Sequence, residues 1–167
     1  MKPMHQNCPG SRMMAFKKEK TENSGVRPGE IQSQLSQWPI QLHLISPTAA
    51  YYQDADVVLA ADCVAYALGN FHQEYLKDRS LAIACPKLDS GQEIYQEKIT
   101  SWIDDANIRS LNVLIMQVPC CMGLLNLAKQ AAAQAERRIP LEYTVVGVQG
   151  DILEKQSIQL DTREELV

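Results

Sequence analysis

Cysteine is the residue type in this sequence that most clearly offers chemistry. The chain has five, Cys8, Cys63, Cys85, Cys120 and Cys121, and the last two are adjacent in the segment "MQVPCC". An odd number of cysteines, in a chain whose first residues form no continuous apolar leader, does not indicate a disulfide framework. Free thiols, a metal site and redox chemistry are therefore the options that the sequence raises.

Four of the five cysteines follow segments that are typical of strands. Cys63 comes directly after "DVVLAAD", Cys85 ends "LAIAC", and Cys120 and Cys121 follow "NVLIMQVP". Continuous apolar runs of this length are expected for strands that are covered on both faces. Each of three strands is thus predicted to deliver a thiol at its carboxyl end.

The strands alternate with helical patterns. Besides those three runs, "IQLHLIS" (40–46) and "EYTVVGV" (142–148) are predicted strands, and the intervening helices are predicted within 64–77, 91–106 and 122–138. Alternation of this kind predicts an α/β fold with right-handed crossovers. We expect three layers, with a mostly parallel sheet of about five strands and helices on both faces, of the flavodoxin or Rossmann-like type. The short link between residues 46 and 56 allows one short helix through "TAAYYQ"; otherwise the first strand is an antiparallel edge strand.

Carboxyl ends of parallel strands meet at one edge of a sheet, and that edge is where ligands bind. We therefore expect Cys63, Cys85 and Cys120 to converge there, with Cys121 beside them. Proline follows Cys8 and Cys85 and precedes Cys120, which stiffens the backbone at each thiol. The helix after Cys121 would direct its amino terminus at the same edge and favour a thiolate.

Gathered thiolates are ligands for iron–sulfur clusters and for structural zinc. Structural zinc sites usually come from two short C-x₂₋₄-C loops, which this chain lacks. Dispersed ligands suit a [4Fe–4S] cluster better, with zinc as the alternative. We expect Cys63, Cys85 and Cys120 as metal ligands, with Cys8 or Cys121 as the fourth.

Composition limits the organisation and the partners. Residues 1–37 are predicted to be an arm that carries Cys8 and a flexible polar loop, residues 38–152 the α/β domain, and residues 153–167 a polar tail. The net charge of −4 gives no general attraction to nucleic acid or to anionic membranes. No apolar run approaches the roughly 20 residues that cross a bilayer. A cytoplasmic location is expected, because thiols stay reduced there, and the oligomeric state is left open.

Several segments together resemble a known family. "CPGSRMMAF", "DVVLAADCVAYALGNFH", "LAIACPKLD" and "VPCC" are similar to the C-terminal module of iron–sulfur cluster-binding, four-iron ferredoxin-like oxidoreductases of anaerobic bacteria and archaea. The resemblance implies a redox module that works with a ferredoxin-like domain, which this sequence does not contain. Where the family tends to have Cys-Cys-Gly-Gly, this chain has Met122 and Gly123 after its two cysteines.

Two other functions fit the same residues. Cys120 and Cys121 would serve a metal-free thiol or sulfur-transfer protein as nucleophiles, and the domain would serve as a scaffold that assembles with a separate ferredoxin-like chain. Lys87 near Cys85 and Asp62 beside Cys63 are further candidates, although Lys87 is equally a solvated loop residue and Asp62 a helix cap. His43 is predicted to be packed or exposed and His72 to face solvent. No G-x-G-x-x-G, P-loop or G-x-S-x-G motif is present.

Overall fold

The structure is a computed structural model that describes residues 12–16 and 31–159. Its main sheet has five strands in the order β4-β3-β5-β6-β7, and a two-stranded antiparallel sheet joins β1 to β2. The strands are β1 (Met14–Ala15), β2 (Gln37–Trp38), β3 (Asp56–Ala61), β4 (Ser80–Ala84), β5 (Ser110–Met116), β6 (Leu141–Val146) and β7 (Ile152–Ile158). The helices are α1 (Val64–Ala67), α2 (Gln92–Asp104) and α3 (Met122–Gln134), with a π-helical turn at His72–Leu76 and a 3₁₀ turn at Pro119–Cys121.

The predicted α/β class is confirmed. Strands β4, β3, β5 and β6 are parallel, and only β7 at the edge is antiparallel. Helices α2 and α3 pack against each other, and right-handed crossovers, the rule for parallel strands, would put both on one face of the sheet and α1 on the other. The interior strand β3 is buried from Val57 to Ala61, as its continuous apolar run predicts.

The prediction of a strand at residues 40–46 is wrong. Only Gln41 forms a bridge, parallel to Ile83 of β4, and the residues after it turn away. The cause is a tertiary contact that the alternating pattern does not encode. The Lys98 ammonium of α2 donates hydrogen bonds to the carbonyl oxygens of Leu42, His43 and Ile45 at 2.8–2.9 Å, and so fixes this segment as a turn.

Three other predictions differ from the structure. The predicted polar tail, 153–167, overlaps β7, which pairs with β6 along its length. The predicted short helix through 48–53 is a series of turns, and the helix predicted over 64–77 is interrupted after Ala67 at Gly69 and Asn70. Cys8 and most of the predicted arm lie outside the described residues. Within the described ranges, no helix has the length and apolar character needed to cross a bilayer.

Candidate functional site

The site is built at the point where the strand order reverses. From β3 the chain crosses to β4 on one side, whereas from β5 it crosses to β6 on the other side. The carboxyl ends of β3 and β5 therefore flank the crevice in which α/β sheets bind ligands. Cys63 follows β3 with one residue between, and Cys120 and Cys121 lie in the 3₁₀ turn that joins β5 to α3.

Cys121 is the buried member of this group. It is the N-cap residue of α3 and is 7% exposed, whereas Cys63 and Cys120 are exposed. Burial, together with these two neighbouring thiols, raises the pKa of Cys121, although a hydrogen bond with the Met116 backbone lowers it. The four described cysteines are free thiols. Cys63 and the pair Cys120 and Cys121 thus follow the two strands that flank the switch point. The convergence of their thiols stays a prediction.

The expectation that the amino terminus of α3 favours a thiolate concerns Cys121 in particular. Burial acts against that effect, because it raises the pKa of Cys121. Burial therefore disfavours the thiolate form of Cys121 in the metal-free chain.

Cys85 reaches the same edge in a closed loop. The Cys85 carbonyl oxygen accepts hydrogen bonds from the amides of Leu88 and Asp89, while the Cys85 N–H donates to the Asp89 carboxylate at 2.8 Å. Next to it, Pro86 packs on the first turn of α3, where a Cβ added to Gly123 would stand 3.3 Å from the Pro86 Cβ. The loop after β4 is thereby tied to the turn that carries the vicinal cysteines.

Asp62 separates β3 from Cys63. Its carboxylate accepts two long hydrogen bonds, both 3.4 Å, from the Gln41 amide. Burial and the nearby Asp89 carboxylate raise its pKa, and the Gln41 hydrogen bond opposes that rise. Asp62 does not cap α1, because the N-cap residue is Cys63 and no side chain caps the helix.

The turn between β6 and β7 closes the remaining side of the site, and sequence analysis missed it. Gly150 has φ +92°, and a Cβ there would collide with the Ala67 carbonyl oxygen at the end of α1. The Gln117 side chain at the end of β5 accepts a hydrogen bond from the Val148 N–H at 3.1 Å. The signal in the sequence was the pair of glycines in "GVQGD", which is typical of a tight turn with close backbone approach.

Other predicted candidates lie farther from this chemistry. His43 is exposed and its ring packs on Tyr95 with centroids 4.5 Å apart, whereas His72, expected to face solvent, is half-buried and accepts a hydrogen bond from the Gln34 N–H. Lys87 is exposed beside Cys85, as its interpretation as a solvated loop residue predicts.

The number and chemistry of the cysteine thiols bear on which metal group they would hold. Among the described residues, no three Cys, His, Asp or Glu side chains stand close enough to hold a single metal ion. Sulfur ligands to one zinc ion must all lie about 2.3 Å from it. The four described cysteines lie on the connections after β3, β4 and β5, and thiols in this number fit an iron–sulfur cluster in chemistry, because such clusters are held by cysteine thiolates.

Comparisons with known proteins agree with the fold and leave the chemistry open. A family described as a Rossmann-like domain matches residues 49–166. A protein of Archaeoglobus fulgidus, described as uncharacterized, is 27% identical over 119 residues, which cover 71% of this chain and 83% of that protein. No solved structure matches the chain.

Proposed function

This chain belongs to the Rossmann-like domain family, and we propose that it binds an iron–sulfur cluster through thiols at the switch point of its sheet. One observation carries the proposal. Cys63 follows β3, and Cys120 and Cys121 follow β5, and these are the two strands whose carboxyl ends flank the point where the strand order reverses. The resemblance to four-iron ferredoxin-like oxidoreductases supports the same conclusion.

The expected ligands are Cys63, Cys85 and Cys120, with Cys121 or Cys8 as the fourth. Cys63 and Cys120 are exposed, and Cys85 is half-buried. Thiols that lie on three separate connections favour a cluster over zinc, since structural zinc sites usually come from two short loops with paired cysteines. Zinc stays the alternative metal.

Chain direction supports a contribution from Cys8. Met14 of β1 pairs with Trp38 in antiparallel fashion, so the chain before Met14 lies on the same side of β2 as Pro39 and Gln41. The Gln41 side chain contacts Asp62, which is next to Cys63. Three residues lie between Cys8 and Arg12, where the description begins, and four extended steps of chain span about 14 Å.

A bound cluster would supply one-electron transfer at the surface of the domain. The chain's residues would hold it at an open edge, because Cys63 and Cys120 are both exposed to solvent. Exposure of two ligands suits electron exchange with a separate ferredoxin-like protein. The metal-free alternative would depend on Cys120, since burial raises the pKa of its neighbour Cys121.

The test is anaerobic reconstitution of the full chain with ferrous iron and sulfide, followed by iron and sulfide analysis and electron paramagnetic resonance of the reduced protein. We expect about four iron and four sulfide per chain, with Cys63→Ser and Cys120→Ser each losing most of both. Ser157→Ala, an exposed change on β7, is the control and should match the unchanged chain. A wild-type chain that retains neither iron nor zinc would overturn the proposal.

A further inference from the structure

We propose that Asp89 and Tyr95 are positioning residues, which fix the backbone of Cys85 so that its thiol is presented to the site. The inference rests on the proposed function, in which Cys85 is a ligand. Asp89 contacts the backbone of Cys85, and Tyr95 acts through Asp89.

The first step is the double contact between Asp89 and Cys85. The Asp89 carboxylate accepts a hydrogen bond from the Cys85 N–H at 2.8 Å, and the Asp89 N–H donates to the Cys85 carbonyl oxygen, also at 2.8 Å. Both backbone groups of Cys85 are therefore held by one residue. A thiol on such a loop loses little conformational freedom when it binds a metal, which favours binding.

The second step anchors Asp89 to a helix. The same carboxylate oxygen accepts a hydrogen bond from the Tyr95 hydroxyl at 2.5 Å, and Tyr95 is fully buried on the inner face of α2. Burial and the Asp89 carboxylate raise the pKa of Tyr95, so that the phenol keeps its proton and remains a donor. The anchor therefore holds across the working pH range.

The third step is a second hydrogen bond from helix α2 to the loop that carries Cys85. The Gln92 amide donates to the Pro86 carbonyl oxygen at 2.6 Å. Gln92 and Tyr95 are three residues apart and so share one face of α2. That face of α2 donates hydrogen bonds to Pro86 and Asp89. Gly123 of α3 packs against the Pro86 ring. The Cys85 loop is thus clamped between the first turns of two helices.

An ordinary loop would need its backbone groups paired as well. The difference here is the use of a carboxylate beside a thiol. A carboxylate forms a stronger, charge-assisted hydrogen bond with the Cys85 N–H than a neutral acceptor would, and so fixes the loop more firmly.

The test compares Tyr95→Phe and Asp89→Asn with Tyr66→Phe, a matched change at a tyrosine that is 94% exposed. In the metal-free chain, alkylation by iodoacetamide is followed by mass spectrometry at Cys85 and at Cys63 in the same sample. We expect Cys85 to react several-fold faster in both clamp variants, about tenfold at most, with Cys63 unchanged. Reconstituted protein is then assayed for the rate at which a chelator removes iron, which should also rise.

The outcomes separate this inference from the proposed function. Unchanged alkylation of Cys85 and unchanged iron loss in Tyr95→Phe would overturn the positioning role, whether or not the wild-type chain binds a cluster. If the wild-type chain binds no metal, the proposed function fails, and the alkylation result still decides whether Tyr95 fixes the loop. Tyr95→Phe removes a single oxygen, so it keeps the test valid if Asp89→Asn fails to fold.

Discussion

Gly123 and Pro86 are in close contact across the site, because a Cβ on Gly123 would stand 3.3 Å from the Pro86 Cβ. The contact joins the loop after β4 to the first turn of α3. Cys85 precedes Pro86, and Cys121 precedes Gly123 by two residues. Two cysteines that are 36 positions apart in sequence are therefore carried on connections that touch.

The β6–β7 turn should depend on Gly150. Its φ of +92° is unfavourable for any residue with a side chain, and the nearest atom to an added Cβ is the Ala67 carbonyl oxygen. We expect Gly150→Ala to lower the free energy of unfolding by about 1–3 kcal/mol, measured by urea denaturation. Gly69→Ala is the matched control, because nothing lies within 4 Å of the added Cβ. Equal stability of the two variants would show that the turn does not pack against α1 as described.

The four described thiols should differ in reactivity in the metal-free chain. Cys63 and Cys120 are exposed, whereas Cys121 is 7% exposed and has a raised pKa because of burial and neighbouring thiols. We expect iodoacetamide at pH 7.5 to label Cys63 and Cys120 first and Cys121 last, as resolved by peptide mass spectrometry. Early selective labelling of Cys121 would contradict the described burial and would favour the metal-free nucleophile.

Lys98 should stabilise the segment that follows β2. Its ammonium donates to three carbonyl oxygens of the turn at 42–45. Lys98→Met keeps much of the apolar stem but leaves those oxygens without this donor, so we expect a loss of about 1–3 kcal/mol in the free energy of unfolding. Lys77→Met, at an exposed position, should cost less than half of that. A Lys98→Met chain as stable as the Lys77→Met chain would rule out the role.

Stability should fall in alkaline solution. Burial raises the pKa of Tyr52, Tyr75, Tyr95 and Cys121. The unfolded chain releases these protons at their usual pKa values of about 9–10, while the folded chain still holds them, so the free energy of unfolding decreases as pH rises through that range. Burial lowers the pKa of Lys98, which acts in the opposite direction but is a single group.

The measurement for this pH dependence is the urea midpoint at pH 7 and at pH 10. Tyr95→Phe should reduce the alkaline loss, because it removes one of the protons involved, whereas Tyr66→Phe should leave the loss unchanged. A midpoint that is constant or higher at pH 10 would contradict the burial of these groups.

The parallel strands were predictable because their burial leaves a clear pattern. The runs at 56–62, 81–85 and 112–118 are apolar except at or near their ends, and each overlaps a strand that a cysteine follows. The convergence of Cys63, Cys120 and Cys121 is inferred from that pattern and from the rule that parallel strands end together, and it stays a prediction.

What was missed depends on contacts between distant residues. Ile40–Ser46 alternates as a strand does, but Lys98 captures its carbonyl oxygens. Strand β7 is mostly exposed and polar, so nothing in "ILEKQSI" separates it from a tail until β6 is beside it. The link from Tyr95 through Asp89 to Cys85 joins side chains whose partners no local pattern specifies.

X-ray absorption at the iron edge of the anaerobically reconstituted full chain tests the central claim most directly. The account predicts a first coordination shell of sulfur at about 2.3 Å with a second shell of iron, and loss of that iron shell in Cys63→Ser and Cys120→Ser. A first shell of oxygen or nitrogen alone, or a spectrum that neither substitution alters, would contradict it.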